Sequence, residues 1–465
     1  MKNKARNQRR SFMKKLTGTA LFASTAPGWL WGNPSKEELL QPPPTSYAAN
    51  DNLQIAAIGM GIMGFKNCES ALKVDGVRLV AACDLYNGRL ERTKEVFGEQ
   101  VATTKDHREI LDRKDVDAVI ISTTDHWHDK IAIEAMDKGK AVYCEKPMVH
   151  QIEQGLSVIE SQNRNKQILQ VGSPHPSSIV FLKAKELYEA GEIGQLVLGE
   201  TWNDRQSANG AWQYSIPRDA STDTVDWDRY LGDAPKVPFE PERFFRWRNY
   251  QDYGTGVSGD LFVHLFSGLH LILSSNGPNR IYTTGGLRYW KDGRDVPDVL
   301  IGCYDYPQTD KHPSFSLQMR VNFIDGGGGS SMTRLVGSEG VMIISGNSVK
   351  IKKSKMSSYP GYGGWDSFDT FDAKNRAEFE TWYNKTYPAK PATLKAAGDL
   401  EFNAPNGYNS RDHHFKNFFN SIETNGPVLE DAAFGFRAAA PALASNKSYF
   451  ENKVINWDPE SMKMV

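Results

Sequence analysis

Ile55-Ala56-Ala57-Ile58-Gly59-Met60-Gly61-Ile62-Met63-Gly64 is the stretch on which the fold turns. A β-branched apolar run enters Gly-x-Gly-x-x-Gly and leaves it as a helix-length segment, the step that opens a dinucleotide-binding sheet. Gly59 permits the tight bend, Gly61 lets the backbone approach a pyrophosphate, and Gly64 lets the helix pack on the strand. The free N–H groups at the helix start, on Ile62, Met63 and Gly64, are then placed for an anion. A second apolar run, Val77 to Cys83, ends in Asp84. A carboxylate there accepts hydrogen bonds from an adenosine ribose and repels a 2′-phosphate, favouring NAD over NADP. An aspartate so placed also serves simply as a helix cap. Arg89 blurs the preference, although the pattern assigns it an exposed helix position.

Outward from this motif, strands are expected at Gln54 to Ile58, Val77 to Cys83, Ala118 to Ser122, Ala141 to Cys144 and Ile168 to Val171. Helix-length segments around Asn67 to Lys73, Leu90 to Phe97, Lys130 to Met136 and Gln154 to Arg164 separate them. Such alternation predicts an α/β fold, a doubly wound parallel sheet over residues 52–172. After Ser173-Pro174-His175-Pro176 come a helix at Ile179 to Ala190, a strand at Gln195 to Trp202, an aromatic insertion from Asn209 to Tyr253, and a helix through Asp260 to Leu273. Further strands at Asn279 to Thr284, Val299 to Tyr304, Phe315 to Phe323, Thr333 to Val336 and Val341 to Ile344 predict a C-terminal α+β domain over 173–465 with a large, mostly antiparallel open sheet. Gly326 to Gly329 reads as a hairpin turn. Ser410 reads as the cap of a helix burying Phe415, Phe418 and Phe419.

The net charge of −1 hides an asymmetry, because Lys2, Lys4, Arg6, Arg9, Arg10, Lys14 and Lys15 crowd the head. Removing those seven from the 55 basic residues leaves 48 against 56 acidic ones, a net of −8. Such a body has no electrostatic footprint for nucleic acid. The head, residues 1–32, runs Arg9-Arg10-Ser11-Phe12-Met13-Lys14 into a short apolar stretch, a removable targeting segment rather than a membrane span. It resembles a twin-arginine export signal, which implies a periplasmic protein exported folded, with its dinucleotide. Residues 33–51, with Pro42-Pro43-Pro44, form an extended arm. Cys68, Cys83, Cys144 and Cys303 lack metal or redox spacing and read as buried thiols.

Thr123-Thr124-Asp125-His126-Trp127-His128 and Glu145-Lys146-Pro147 carry a family resemblance, extended by Gly254-Thr255-Gly256-Val257-Ser258-Gly259-Asp260 with His264 and by Gly337-Ser338-Glu339-Gly340. They resemble the glucose-fructose oxidoreductase / inositol dehydrogenase / MocA family, with Asp125 standing where that family has proline. The resemblance implies an NAD-dependent oxidoreductase acting on a secondary alcohol of a sugar or polyol. By it, Thr123, Thr124, His128, Glu145 and Lys146 line the cofactor, and Lys146 and His264 are catalytic. Asp260 binds a substrate hydroxyl or orients the imidazole, and His175 contacts substrate. Hydride transfer requires a base for the hydroxyl proton and a positive charge for the developing alkoxide, which His264 and Lys146 supply. The bland alternative is an i,i+4 polar pair satisfying a buried helix. His126-x-His128 and His413-His414 lack metal-site spacing, so no metal is expected.

Between Trp202 and Trp247, aromatic side chains alternate with Asn203, Asp204, Arg205, Arg246 and Arg248. Flat rings beside hydrogen-bonding groups suit pyranoses, and equally suit a core under a long loop. Trp202, Arg246 and Trp247 are the substrate contacts chosen. Two other functions remain open: an NAD-dependent glycoside hydrolase working by transient oxidation, and a non-catalytic sugar or dinucleotide sensor. A homodimer or homotetramer through the C-terminal sheet is expected; by resemblance the 33–51 arm wraps a neighbouring subunit and covers the adenine end of its cofactor, and a flexible tether is the other reading.

Overall fold

The computed structural model describes residues 52–355, 357, 359–387 and 398–465. The export-type head and the proline-rich arm lie outside the described residues. The first sheet comprises β1 (Leu53–Ile58), β2 (Val77–Cys83), β3 (Ala102–Thr104), β4 (Ala118–Ile121), β5 (Ala141–Cys144) and β6 (Leu169–Val171). All its pairings are parallel, in the order β3-β2-β1-β4-β5-β6. Connecting helices are α1 (Ile62–Ala71), α2 (Asn87–Phe97), α3 (His107–Leu111), α4 (His128–Asp137) and α5 (Gly155–Asn165). Every residue of β4 and β5 is buried, so both strands read as unbroken apolar runs. Strand order reverses between β1 and β4, which opens a crevice at their carboxyl ends.

The chain continues through α6 (Ile179–Glu189), β7 (Leu196–Asp204), α7 (Trp227–Leu231), α8 (Pro241–Phe245), α9 (Val263–Leu273), β8 (Arg280–Gly286), β9 (Val299–Tyr306), β10 (Phe315–Asn322), β11 (Ser330–Gly337), β12 (Gly340–Ser345) and β13 (Ser348–Lys353). It ends with α10 (Ala373–Thr386), β14 (Leu400–Asn403), α11 (Ser410–Thr424), α12 (Ala432–Glu451), β15 (Ile455–Asp458) and β16 (Lys463–Met464). Ten strands form the second sheet, in the order β14-β13-β12-β11-β7-β10-β9-β8-β15-β16. Only β7 and β10 pair in parallel. The fold is therefore a parallel doubly wound sheet followed by a larger, mostly antiparallel one.

Several local expectations change. Gly326 to Gly329 do not turn a hairpin: β10 and β11 flank β7 on opposite sides, so the glycines carry the chain across the end of β7. Gly337–Gly340 does close a hairpin between β11 and β12. Asn409, not Ser410, caps α11, accepting from the Arg411 N–H at 3.0 Å. That helix buries Phe415, Phe418 and Phe419 as expected, but against Tyr143 and the apolar face of the first sheet. Each such ring contributes about 2–3 kcal/mol by leaving water. Cys68, Cys83 and Cys144 are buried free thiols, whereas Cys303 is exposed on the outer face of β9.

Candidate active site

The glycine turn separates steric demand from ligand space. Gly59 sits at φ +91°, where a Cβ would lie 2.5 Å from the Ser122 carbonyl oxygen; one on Gly64 would lie 2.0 Å from the Gly59 oxygen. A Cβ on Gly61 would meet nothing closer than the Arg89 guanidinium at 3.9 Å, so the chain leaves that side open. Gly61 is the N-cap of α1, no side chain caps it, and the first turn holds no acid. An anion is the natural partner for those N–H groups. Asp84, nearly buried, accepts from the Met60 N–H at 2.7 Å and the Tyr86 N–H at 2.9 Å.

These groups lie along one cleft with about 1040 Å³ of free space. Asp84, Arg89, Lys105 and His107 wall one end; Ser122, Thr123, Thr124, His128, Glu145 and Lys146 follow toward the other. Arg89 does not occupy an exposed helix position. Its guanidinium lies 5.3 Å from the rings of Phe244 and of Phe245 and 3.5 Å from Asp84 Oδ2, because the aromatic insertion closes over it. That insertion is a strap on the parallel half: Val225 bridges Tyr86, Asp226 N–H donates to Leu85, and Arg229 pairs with Asp106 at 3.0 Å. The Trp127 indole N–H donates to the Tyr230 carbonyl at 2.9 Å.

Two motif segments are locked together beneath the cleft. The His128 Nδ1–H donates to the Pro147 carbonyl at 2.7 Å, and Nε2 lies 3.3 Å from the Thr123 carbonyl. Asn67, fully buried on α1, donates to Glu145 Oε1 at 2.8 Å and to Ser122 Oγ at 3.1 Å. Sequence reasoning passed over Asn67, although an amide on the sheet-facing side of that helix is the available signal. His126 takes no part in the cleft wall; burial pushes its imidazole down to about 3.

At the far end Lys146 Nζ donates to both Oδ1 and the backbone oxygen of Asp260, each at 2.8 Å. Arg248 Nε donates to the same Oδ1 at 3.0 Å. Burial pushes the Asp260 carboxyl up, but Lys146 and Arg248 outweigh it and hold the group well below the ordinary carboxylate range. Asp260 makes no hydrogen bond to His264 among the described residues; it orients the lysine, not the imidazole. Ser258–Phe262 form a π-helical turn rather than the start of a regular helix, which supplies the wider backbone spacing there. Burial, then the Lys146 ammonium and the His175 ring, hold the His264 imidazole well below the usual range, so it is neutral near pH 7. The His175 Nδ1–H donates to the His264 carbonyl at 2.8 Å while its ring stacks on Phe181.

Three of the expected substrate contacts, His175, Trp202 and Arg246, are not among the residues that line the cleft. Trp202 lies opposite the buried Thr201 on β7, its indole N–H donating to Ser330 and its ring under Arg320, because side chains alternate along a strand. Arg246 turns back to the insertion, donating to the Tyr214 carbonyl at 2.8 Å and Gln213 Oε1 at 2.7 Å. Trp247 does line the cleft, with Arg248 and Tyr214 beside it. Neither of those two was singled out from sequence. No group of three or more potential metal ligands occurs among the described residues.

The cleft fits a dinucleotide: an uncapped helix start beside the open space at Gly61, a carboxylate at the end of β2, and a lysine at the other end. Residues 53–173 match the family model described as oxidoreductase family, NAD-binding Rossmann fold (GFO_IDH_MocA). An inositol 2-dehydrogenase of Salmonella paratyphi B is 30% identical over 170 residues, 36% of this chain and 49% of that protein. A glycosyl hydrolase family 109 protein of Shewanella baltica is 31% identical over 158 residues, 32% of this chain and 34% of that one. The chain thus spans about half, or less, of the length of these curated relatives. The crystal structure of the WlbA dehydrogenase from Bordetella pertussis shares the fold, with a TM-score of 0.61 at 15% identity, covering 89% of this chain and 99% of that one. Residues 53–173 therefore form a Rossmann-fold domain similar to the NAD-binding domain of that oxidoreductase family.

Proposed function

We propose that the chain is an NAD-dependent oxidoreductase that moves a hydride between a secondary alcohol of a sugar or polyol and the nicotinamide. The observation that carries this reading is the buried Lys146–Asp260–Arg248 cluster at one end of a dinucleotide cleft, with a neutral His264 within its field. Bound NAD would supply the hydride acceptor. Lys146, kept charged and aimed by Asp260, stabilises the alkoxide that develops as the C–H bond is lost. His264 takes the hydroxyl proton, which an imidazole can do only when neutral. His175 is a positioning residue that fixes the helix backbone at His264. Absorbance at 340 nm, followed with NAD and a panel of sugars and polyols, tests the reading; no NADH from any of them rejects it.

A likeness to a protein named for glycosyl hydrolysis favours one second reading, transient oxidation during glycoside cleavage. Nitrophenyl glycosides separate the two: released nitrophenol means hydrolysis, NADH without release means net dehydrogenation, and neither leaves a binding protein. We also infer export, on the Arg9-Arg10-Ser11-Phe12 head, and self-association through the outer face of the ten-stranded sheet, where Tyr282, Cys303 and Trp202 lie. Fractionation of cells and light scattering of the purified protein test these.

A further inference from the structure

The substrate end of the cleft holds cations whose hydrogen-bonding capacity the protein does not fill. Arg248 donates once, from Nε to Asp260, and among the described residues its two terminal nitrogens meet no acceptor. The side chain is 18% exposed and forms part of the cleft wall. Trp247 backs it, 4.2 Å from guanidinium carbon to ring centroid, which fixes the plane of the fork. Asp260 Oδ1 already serves both Arg248 and Lys146. The neighbouring carboxylates are committed elsewhere, Asp125 to the N–H and hydroxyl of Thr255 and Glu145 to Asn67. Tyr214, in the same wall, has a hydroxyl with no protein partner among the described residues.

A planar guanidinium with two free, parallel N–H groups, beyond the one bond that Nε gives Asp260, matches a carboxylate in two-point fashion. We propose that the sugar taken by this site carries a carboxylate, as uronic and aldonic acids do, held by Arg248 with the Tyr214 hydroxyl alongside. Lys146 is thereby left to the reacting hydroxyl. This rests on the dehydrogenase reading for the hydride step, though not for binding.

The test uses the full chain saturated with NAD. D-Glucuronate, D-galacturonate and D-gluconate are titrated against D-glucose, D-galactose and glucose 6-phosphate, following tryptophan fluorescence for binding and 340 nm absorbance for reduction. The acids are expected to bind about tenfold or more tighter than the neutral sugars, with the gap narrowing at high salt. Arg248→Gln should collapse the acid-to-neutral ratio, and Arg248→Lys, which keeps the ion pair with Asp260, should recover part of it. Neutral sugars or the phosphate binding as tightly as the acids, or no sugar acid binding at all, overturns the proposal. So does an Arg248→Gln protein whose ratio is unchanged. Acid-selective binding without NADH formation sustains the carboxylate site and removes the dehydrogenase reading; NADH from neutral sugars alone does the reverse.

Discussion

Lys146, at the end of the parallel sheet, and Asp260, in a π-helical turn of the second half, are joined by two contacts of 2.8 Å from one ammonium. Their side chains are 9% and 8% exposed. Removing one partner of such a pair leaves an uncompensated buried charge, costing about 3–5 kcal/mol. Asp260→Asn should therefore lower the melting temperature measurably and, by releasing the lysine, reduce kcat about 10²-fold or more. A mutant with wild-type melting and turnover would show that the pair is ornamental.

Gly61 and Gly64 should fail differently. Gly64→Ala drives a methyl group into the Gly59 carbonyl and should destabilise the protein even without cofactor. Gly61→Ala meets only the Arg89 guanidinium, at an ordinary contact of 3.9 Å, so apo-protein melting should stay near wild type while NAD affinity falls about tenfold or more. Calorimetric titration with NAD alongside thermal melts distinguishes them.

Glu430 is fully buried, and neither carboxyl oxygen finds a hydrogen-bond partner among the described residues. Burial pushes its carboxyl well above the ordinary range. The folded state holds this proton while the unfolded state releases it above about pH 4.5, so the contribution falls as pH rises toward the folded value. Glu430→Gln should match wild-type melting near pH 4 and exceed it by a widening margin up to pH 8.

Three buried histidines act in the opposite sense. Burial pushes His126 and His270 down to about 3 and His414 to about 4. Unfolding lets each take a proton below its free value near 6.5, so their contribution is complete above that pH and lost on acidification. The loss is roughly 2 kcal/mol per residue by pH 5. Urea melts from pH 7 to 5 on the Glu430→Gln background should show the falling stability, and His414→Gln should lessen the fall by roughly 2 kcal/mol.

The parallel half was legible because β2 and β5 are apolar runs bounded by polar turns, and the glycine spacing marks the first crossover. β3 was missed because Ala102–Thr104 is short, polar and at the sheet edge, and β13 to β16 because they are brief and carry charge. Of the residues chosen from their motifs, Lys146 lines the cleft and pairs with Asp260, while His264 is not among the lining residues. The choice between Arg246 and Arg248 was not legible, since a single turn of 3-10 helix at Trp247–Asn249 decides which guanidinium faces inward. Arg89 was misread for a related reason: nothing local announces that Phe244 and Phe245, far along the chain, fold back over it.

The strap of residues 209–253 also has a mechanical meaning. It begins and ends in the half that carries the ten-stranded sheet, yet it is knitted by backbone bonds to the loop after β2 and by a tryptophan to the loop after β4. Moving the two lobes apart across their shared crevice would therefore require the strap's bonds to Leu85, Tyr86 and Trp127 to break first.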